Sequence, residues 1–155
     1  MSSALKRRFN FETVQPIRDV ALEKKIILGE VGSLARSAGI DRPLDEEAAE
    51  LLATTYHELR EGISAEGLRF EKPACVMSTA EAISVYYQTL MGAYYYGDGT
   101  MDARMLVDNL VGAVAKESGE DLEKIGNYFS TVVREKAKRE GGAWKAYYEA
   151  RSRLK

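Results

Sequence analysis

The stretch from Met77 to Gly97, MSTAEAISVYYQTLMGAYYYG, limits this chain more than any other, because it joins a strong helix start to a rich apolar face and an abrupt stop. Ser78 can cap the first turn through its hydroxyl while Glu81, three residues on, reaches back to the Ser78 amide, so S-T-A-E reads as a capping box. Gly97 supplies the exit. Between them Ala82, Ile83, Tyr86, Tyr87, Leu90, Met91, Ala93 and Tyr94 recur at spacings of three and four. They cover enough of the circumference to predict a largely buried helix with the rest of the chain packed around it.

The flanking segments supply that packing. Asp19 caps a helix whose stripe is Val20, Ile27, Val31, Leu34 and Ala38 and which Gly39 ends. A second helix starts at Asp45, where Glu46 and Glu47 suit the positive end of the helix dipole, and it buries Leu51, Leu52, Thr55, Tyr56 and Leu59 before Gly62 stops it. Residues 62 to 76 hold three turn-formers and no sustained period, which predicts a loop with a brief extended piece. After the central helix, Thr100 caps a fourth helix with Leu106, Leu110, Val111 and Val114 inward. A fifth begins near Gly119 with the stripe Leu122, Ile125, Phe129, Val132 and Val133, and Gly141-Gly142 breaks it. Trp144, Tyr147, Tyr148, Arg151 and Leu154 make a last short helix. At the other end Phe9, Phe11 and Thr13 alternate with polar residues up to Pro16, the pattern of a short strand or extended arm. The expected fold class is therefore mostly α, a bundle of five to six helices with an N-terminal extended arm.

A chain of 155 residues can remove roughly 70% of its unfolded surface from water, enough for one ordinary core. A net charge of -2 with 45% hydrophobic residues excludes the disordered and membrane classes, since no apolar run nears the roughly 20 residues of a span. The basic N-terminus lacks a following apolar stretch of the secretory kind, and Cys75 alone forms no internal disulfide; both point to the cytoplasm.

Several residues invite a chemical reading. His57 is the single histidine and has no ligand-spaced partner, so it predicts neither a metal site nor a Ser/His/Asp triad and reads as a surface or boundary residue. Glu46, Glu47 and Glu50 resemble paired catalytic carboxylates, but at a helix start they read as a dipole-matched solvated face. Gly62 to Gly67 is the nearest approach to a phosphate loop and lacks the Lys-Ser/Thr pair. Asp98-Gly99-Thr100 lacks the alternating carboxylates of a calcium loop and reads as a turn. Residues 134 to 155 carry eight basic and three acidic residues, a balance of +5 that leaves -7 on the remainder. Basic groups interleaved with Trp144, Tyr147 and Tyr148 suit nucleic acid; they equally suit an amphipathic helix that docks its aromatics and solvates its charges, which is the reading preferred here.

Four runs carry a family resemblance. Ala4-Leu5-Lys6-Arg7-Arg8-Phe9 resembles the end of the core domain of MoxR-type AAA+ ATPases, and Phe11 to Pro16 resembles the last core strand. The helices that follow resemble the lid, with Ser78-Thr79-Ala80-Glu81-Ala82-Ile83 at the lid helix that presents the sensor-2 arginine in many relatives. Gly97-Asp98-Gly99-Thr100, Leu110 to Lys116, Val132 to Glu135 and Trp144 to Tyr148 are similar to one bacterial branch whose members travel with von Willebrand A-type partners. The resemblance implies residues 1–17 as a remnant of the core, 18–117 as the helical lid and 118–155 as a C-terminal extension packed on it. It implies Arg8 as an arginine finger acting in trans on a neighbouring ring subunit's nucleotide, and Ser78 and Thr79 as the sensor-2 region. The sequence departs from the family in two ways. Walker A and Walker B segments are missing, so ATP and magnesium belong to a parent ATPase and the chain is expected to be inactive alone. Ala80 and Glu81 stand where a sensor arginine belongs. The alternatives are a non-enzymatic helical adaptor that binds a protein through the Tyr/Trp-rich C-terminus, and a nucleic-acid-binding domain that uses the basic tail.

Overall fold

The computed structural model describes residues 16–75, 77–114 and 119–154. The arm expected over residues 9–14 lies outside them. In chain order the elements are α1 (Val20–Ser37), α2 (Glu46–Glu61), α3 (Thr79–Tyr96), α4 (Ala103–Val114), α5 (Gly119–Tyr128), α6 (Arg134–Glu140) and α7 (Gly142–Glu149), with a π turn at Phe129–Val133 and a closing 3-10 turn at Ala150–Arg153. Because α5, the π turn and α6 follow one another without a break, they act as one rod, and the described residues form a bundle of six helical units. The only pairing of extended backbone among them is an isolated antiparallel bridge between Ile63 and Arg69 in the loop before α3.

The helix starts follow local chemistry. Asp19 accepts from the Ala21 and Leu22 amides at the start of α1, and Asp45 accepts from the Ala48 amide at the start of α2. At α3 the capping box is complete, with the Glu81 amide donating to Ser78 Oγ and the Ser78 amide donating to Glu81. Gly62 ends α2 at φ 72°, a left-handed value that only glycine adopts without strain. The start of α4 differs from expectation: Asp102, not Thr100, caps it, accepting from the Arg104 and Met105 amides at 2.7 and 2.9 Å. Thr100 instead donates its amide to Asp98 and closes the preceding turn.

One continuous core joins α1, α2, α3, α4, α5 and α7. α3 is central, yet only one side is covered: Ala82, Val85, Tyr86, Thr89, Leu90 and Ala93 are buried, whereas Tyr94, Tyr95 and Tyr96 are exposed. The stripe of α1 is also rotated from expectation. Glu23, Ile27, Val31 and Ala35 face inward while Leu34 and Ala38 face solvent. In the long rod the buried positions step by four, through Asp121, Ile125, Phe129, Val133 and Ala137. Each step of four overshoots a full turn of an α-helix by about 40°, so a regular helix would rotate this stripe off the core. The wider π turn in the middle absorbs that drift. Aromatic rings fill the space so formed, with Phe70 5.1 Å from Tyr128 and Phe129 4.7 Å from Tyr147.

Candidate functional site

Arg8 lies outside the described residues. Ser78 and Thr79 stand at the start of α3, and the structure shows what their side chains do there. Ser78 Oγ lies 2.9 Å from the Glu81 carboxylate, and the Thr79 hydroxyl donates to Glu23 Oε1 at 2.8 Å. Glu23 is wholly buried, and its second partner is Arg60 from the last turn of α2. Arg60 Nη2 donates to Glu23 Oε2 at 2.7 Å and to the Ile17 carbonyl at 3.2 Å, while Nη1 donates to the Met77 carbonyl at 2.7 Å. One guanidinium thus ties α1, α2, the entry to α1 and the entry to α3 into a node. A fork of planar donors suits that task because it meets a carboxylate and two carbonyls at once.

A second node joins α2 to the C-terminal helices. The Tyr128 hydroxyl donates to Glu58 Oε2 at 2.7 Å, the Ala65 amide donates to Glu58 Oε1 at 2.8 Å, and Lys136 Nζ lies 3.0 Å from that same oxygen. Glu58 and Lys136 are both buried. Lys136 also donates to Glu66 at 3.0 Å, Arg139 donates to the same carboxylate at 2.6 Å, and the Lys136 ammonium sits 5.2 Å from the centre of the Trp144 ring. Partial burial works to raise the Glu66 pKa, but the hydrogen bonds from Arg139, Lys136 and Ser64 outweigh it and hold the group at about 2. Burial, reinforced by the Glu58 carboxylate, pushes the Tyr128 phenol well above its usual range. A third contact clamps the loop before α3: the Ala74 and Cys75 amides donate to Asp121 at 2.7 and 2.8 Å, and the Ala74 amide does most to hold that carboxyl below its usual range.

The C-terminal charge asymmetry has a structural outlet in these contacts. Lys136 and Arg139 face Glu58 and Glu66, and Arg153 makes a two-pronged contact with Asp108 on α4. Arg151 lies over the Tyr148 ring at 4.0 Å. Tyr147 is fully buried, and Trp144 and Tyr148 are half-buried. His57 is half-buried on α2 beside the second node. Among the described residues no three His, Cys, Asp or Glu side chains gather to hold a metal ion, and no helix is long and apolar enough to cross a membrane.

Sequence reasoning missed Glu23, Arg60, Glu58, Lys136 and Asp121. One signal was available for some of them: Glu23 and Glu58 each sit at helical spacing among buried apolar residues, where a charge without a partner is costly. In this arrangement the start of α3 is tied into the bundle by its own side chains and by Arg60. Its hydroxyls are turned to Glu81 and Glu23, and its cation, Arg60, is engaged by a carboxylate and two carbonyls. What the geometry does well is hold the helix ends rigidly, which is the chemistry of a positioning element.

Comparison with known proteins bears on what is positioned. Residues 23–155 match the family described as YehL-like AAA+ ATPase C-terminal domain. A curated relative, described as uncharacterized protein YehL of Escherichia coli strain K12, is 34% identical over 154 residues, which is 99% of this chain and 41% of the relative. The chain therefore spans about two fifths of that relative's length. No solved structure matches.

Proposed function

This chain belongs to the family of YehL-like AAA+ ATPase C-terminal domains, and from that premise we propose that it is the helical lid of a MoxR-type ATPase, inactive alone. In the complete protein it closes over bound ATP and magnesium, helps neighbouring subunits assemble a ring, and passes the cycle on to a client, with a von Willebrand A-type protein as partner and the cytoplasm as its place of work. The observation that carries this reading is the family match across residues 23–155, a continuous stretch that takes in all but the first three residues of α1 and every described helix after it. The two buried nodes support it physically. A lid must transmit closure as a rigid body, and paired buried charges between α1, α2, α3 and α6 resist independent movement of those helices. Closure works by shape and packing, since Arg60, the described cation bonded to the entry of α3, is already engaged by Glu23 and two carbonyls, and charge compensation falls to Arg8 from the neighbouring subunit.

The test requires a complete ATPase that carries this segment. Deleting residues 18–155 should abolish most turnover, whereas unchanged turnover refutes the lid and leaves the adaptor reading. Arg8→Ala should lower turnover by about 10³ or more with nucleotide binding nearly unchanged, because a guanidinium supplied in trans acts mainly on the transition state. Mixing that variant with a Walker-B-dead subunit should restore part of the activity, since the dead subunit still donates its own Arg8. Equal losses of nucleotide affinity and turnover would remove Arg8 from the finger role.

A further inference from the structure

Three adjoining hollows run along the solvent side of α2. The first, of about 280 Å³, lies where α2 and α4 both begin and is floored by Ala48, Leu51, Leu106 and Ala146. The second, of about 230 Å³, shares Glu47, Leu51 and Ala143 with it and reaches the Gly141-Gly142 turn. The third, of about 430 Å³, shares Glu50, Glu140 and Trp144 with the second and ends at His57 and Arg139. Together they form a groove that follows α2 from Asp45 to His57, roughly 18 Å at the helical rise. That length accommodates three turns of a partner helix.

The lining has two chemical characters. Its floor is made of small or flat apolar groups, chiefly alanines, Leu51 and the half-buried Trp144. Its walls carry seven carboxylates against two cations, Lys136 and Arg139, a formal balance of -5 that Lys24, bonded to Glu50 from α1, reduces to -4. Both cations are already engaged, Lys136 by Glu58 and Glu66 and Arg139 by Glu66 and Glu140, so neither is available to an incoming anion. An apolar floor between acidic walls is complementary to a segment that is apolar on one face and cationic at its edges.

We propose that this groove docks a short basic amphipathic helix of a partner protein, with its apolar side chains on the alanine, Leu51 and Trp144 floor and its Lys or Arg side chains against Glu47 and Glu50. The proposal does not depend on the ATPase reading, because it follows from the groove's shape and charge alone.

The 155-residue chain contains a single tryptophan, and it lies in the groove, so its emission reports occupancy directly. The probe is a tryptophan-free synthetic peptide of about 12 residues, with Leu and Lys at helical spacing, titrated at low salt. Saturable change in Trp144 emission with this peptide, and none with a Leu/Glu counterpart, is the expected result. Glu47→Gln with Glu50→Gln should weaken binding about tenfold. Ala143→Lys, which puts bulk and positive charge into the floor, should abolish it. Glu30→Gln, an exposed acid on α1, should leave it unchanged. The proposal is overturned if the Leu/Lys peptide gives no saturable change, if the Leu/Glu peptide or heparin binds as tightly, or if Glu30→Gln weakens binding as much as the groove pair does.

Discussion

Replacing Arg60 by methionine would keep most of the side-chain volume and remove the charge from the node at the start of α3. Glu23 is wholly buried and accepts from Arg60 at 2.7 and 3.3 Å and from the Thr79 hydroxyl at 2.8 Å. Without Arg60 it keeps one neutral donor for a full negative charge, and the Met77 and Ile17 carbonyls lose a donor as well. An uncompensated buried charge of this kind costs about 3 to 5 kcal/mol, a large part of the 5 to 15 kcal/mol by which a domain is ordinarily stable. Glu23→Gln is milder, about 1 to 3 kcal/mol, because the amide oxygen still accepts from Arg60 and Thr79 while the slightly exposed guanidinium retains two carbonyl acceptors. Combining the two removes both charges together, so the double variant should cost at least about 1 kcal/mol less than the sum of the singles. Urea unfolding followed by far-ultraviolet circular dichroism and by Trp144 fluorescence gives all three values. If Arg60→Met stays within about 0.5 kcal/mol of the parent, or the two substitutions simply add, the guanidinium is not compensating Glu23 and the node is no constraint on the helices.

Tyr86 is fully buried and its hydroxyl donates to the Asp45 carbonyl at 3.0 Å, so Tyr86→Ala should cost about 3 to 5 kcal/mol and Tyr86→Phe about 1 kcal/mol. Exposed Glu149→Ala should stay within about 0.5 kcal/mol, and equal denaturation midpoints for the alanine variants would show the core to be elsewhere. Glu66 titrates at about 2 in the folded chain against 4.5 for the free group, so its stabilising contribution is complete above about pH 4.5 and is lost as the pH falls toward 2. Glu66→Gln should flatten the acid limb of the stability curve over that window, and an unchanged limb would contradict the contact with Lys136 and Arg139. Gly62→Ala should cost about 1 to 2 kcal/mol, mainly because φ of 72° strains an L side chain, since the crowding Lys72 stem can move aside. Calorimetric titration of the 155-residue chain with Mg-ATP should show no submicromolar binding.

Helix identity was legible in the sequence wherever the deciding contact is short. Asp19, Asp45 and the Ser78/Glu81 box each satisfy amides two or three residues away, and Gly62 ends α2 within its own turn, so these boundaries follow from neighbours alone. Even at that range the cap of α4 was misplaced at Thr100, because the turn at Gly97 to Gly99 takes up Thr100 and leaves Asp102 to accept the first amides of the helix. The inner faces of α2 and α4 were legible as well, whereas the tertiary structure decided how the stripe of α1 is turned and which charges go inward. Glu23 meets Arg60 across 37 positions, Asp121 meets the Ala74 amide across 47, and Tyr128 meets Glu58 across 70. In sequence Asp121 looks like any solvated acid, and Glu23 and Glu58 differ from one only in sharing a helical stripe with apolar residues. A charged group becomes an inward group only when a specific partner arrives to replace its water, and arrival is a property of how whole helices pack rather than of the residues beside it. For the same reason Leu34 lies exposed while Glu23 is buried, against the order that hydrophobicity alone assigns them.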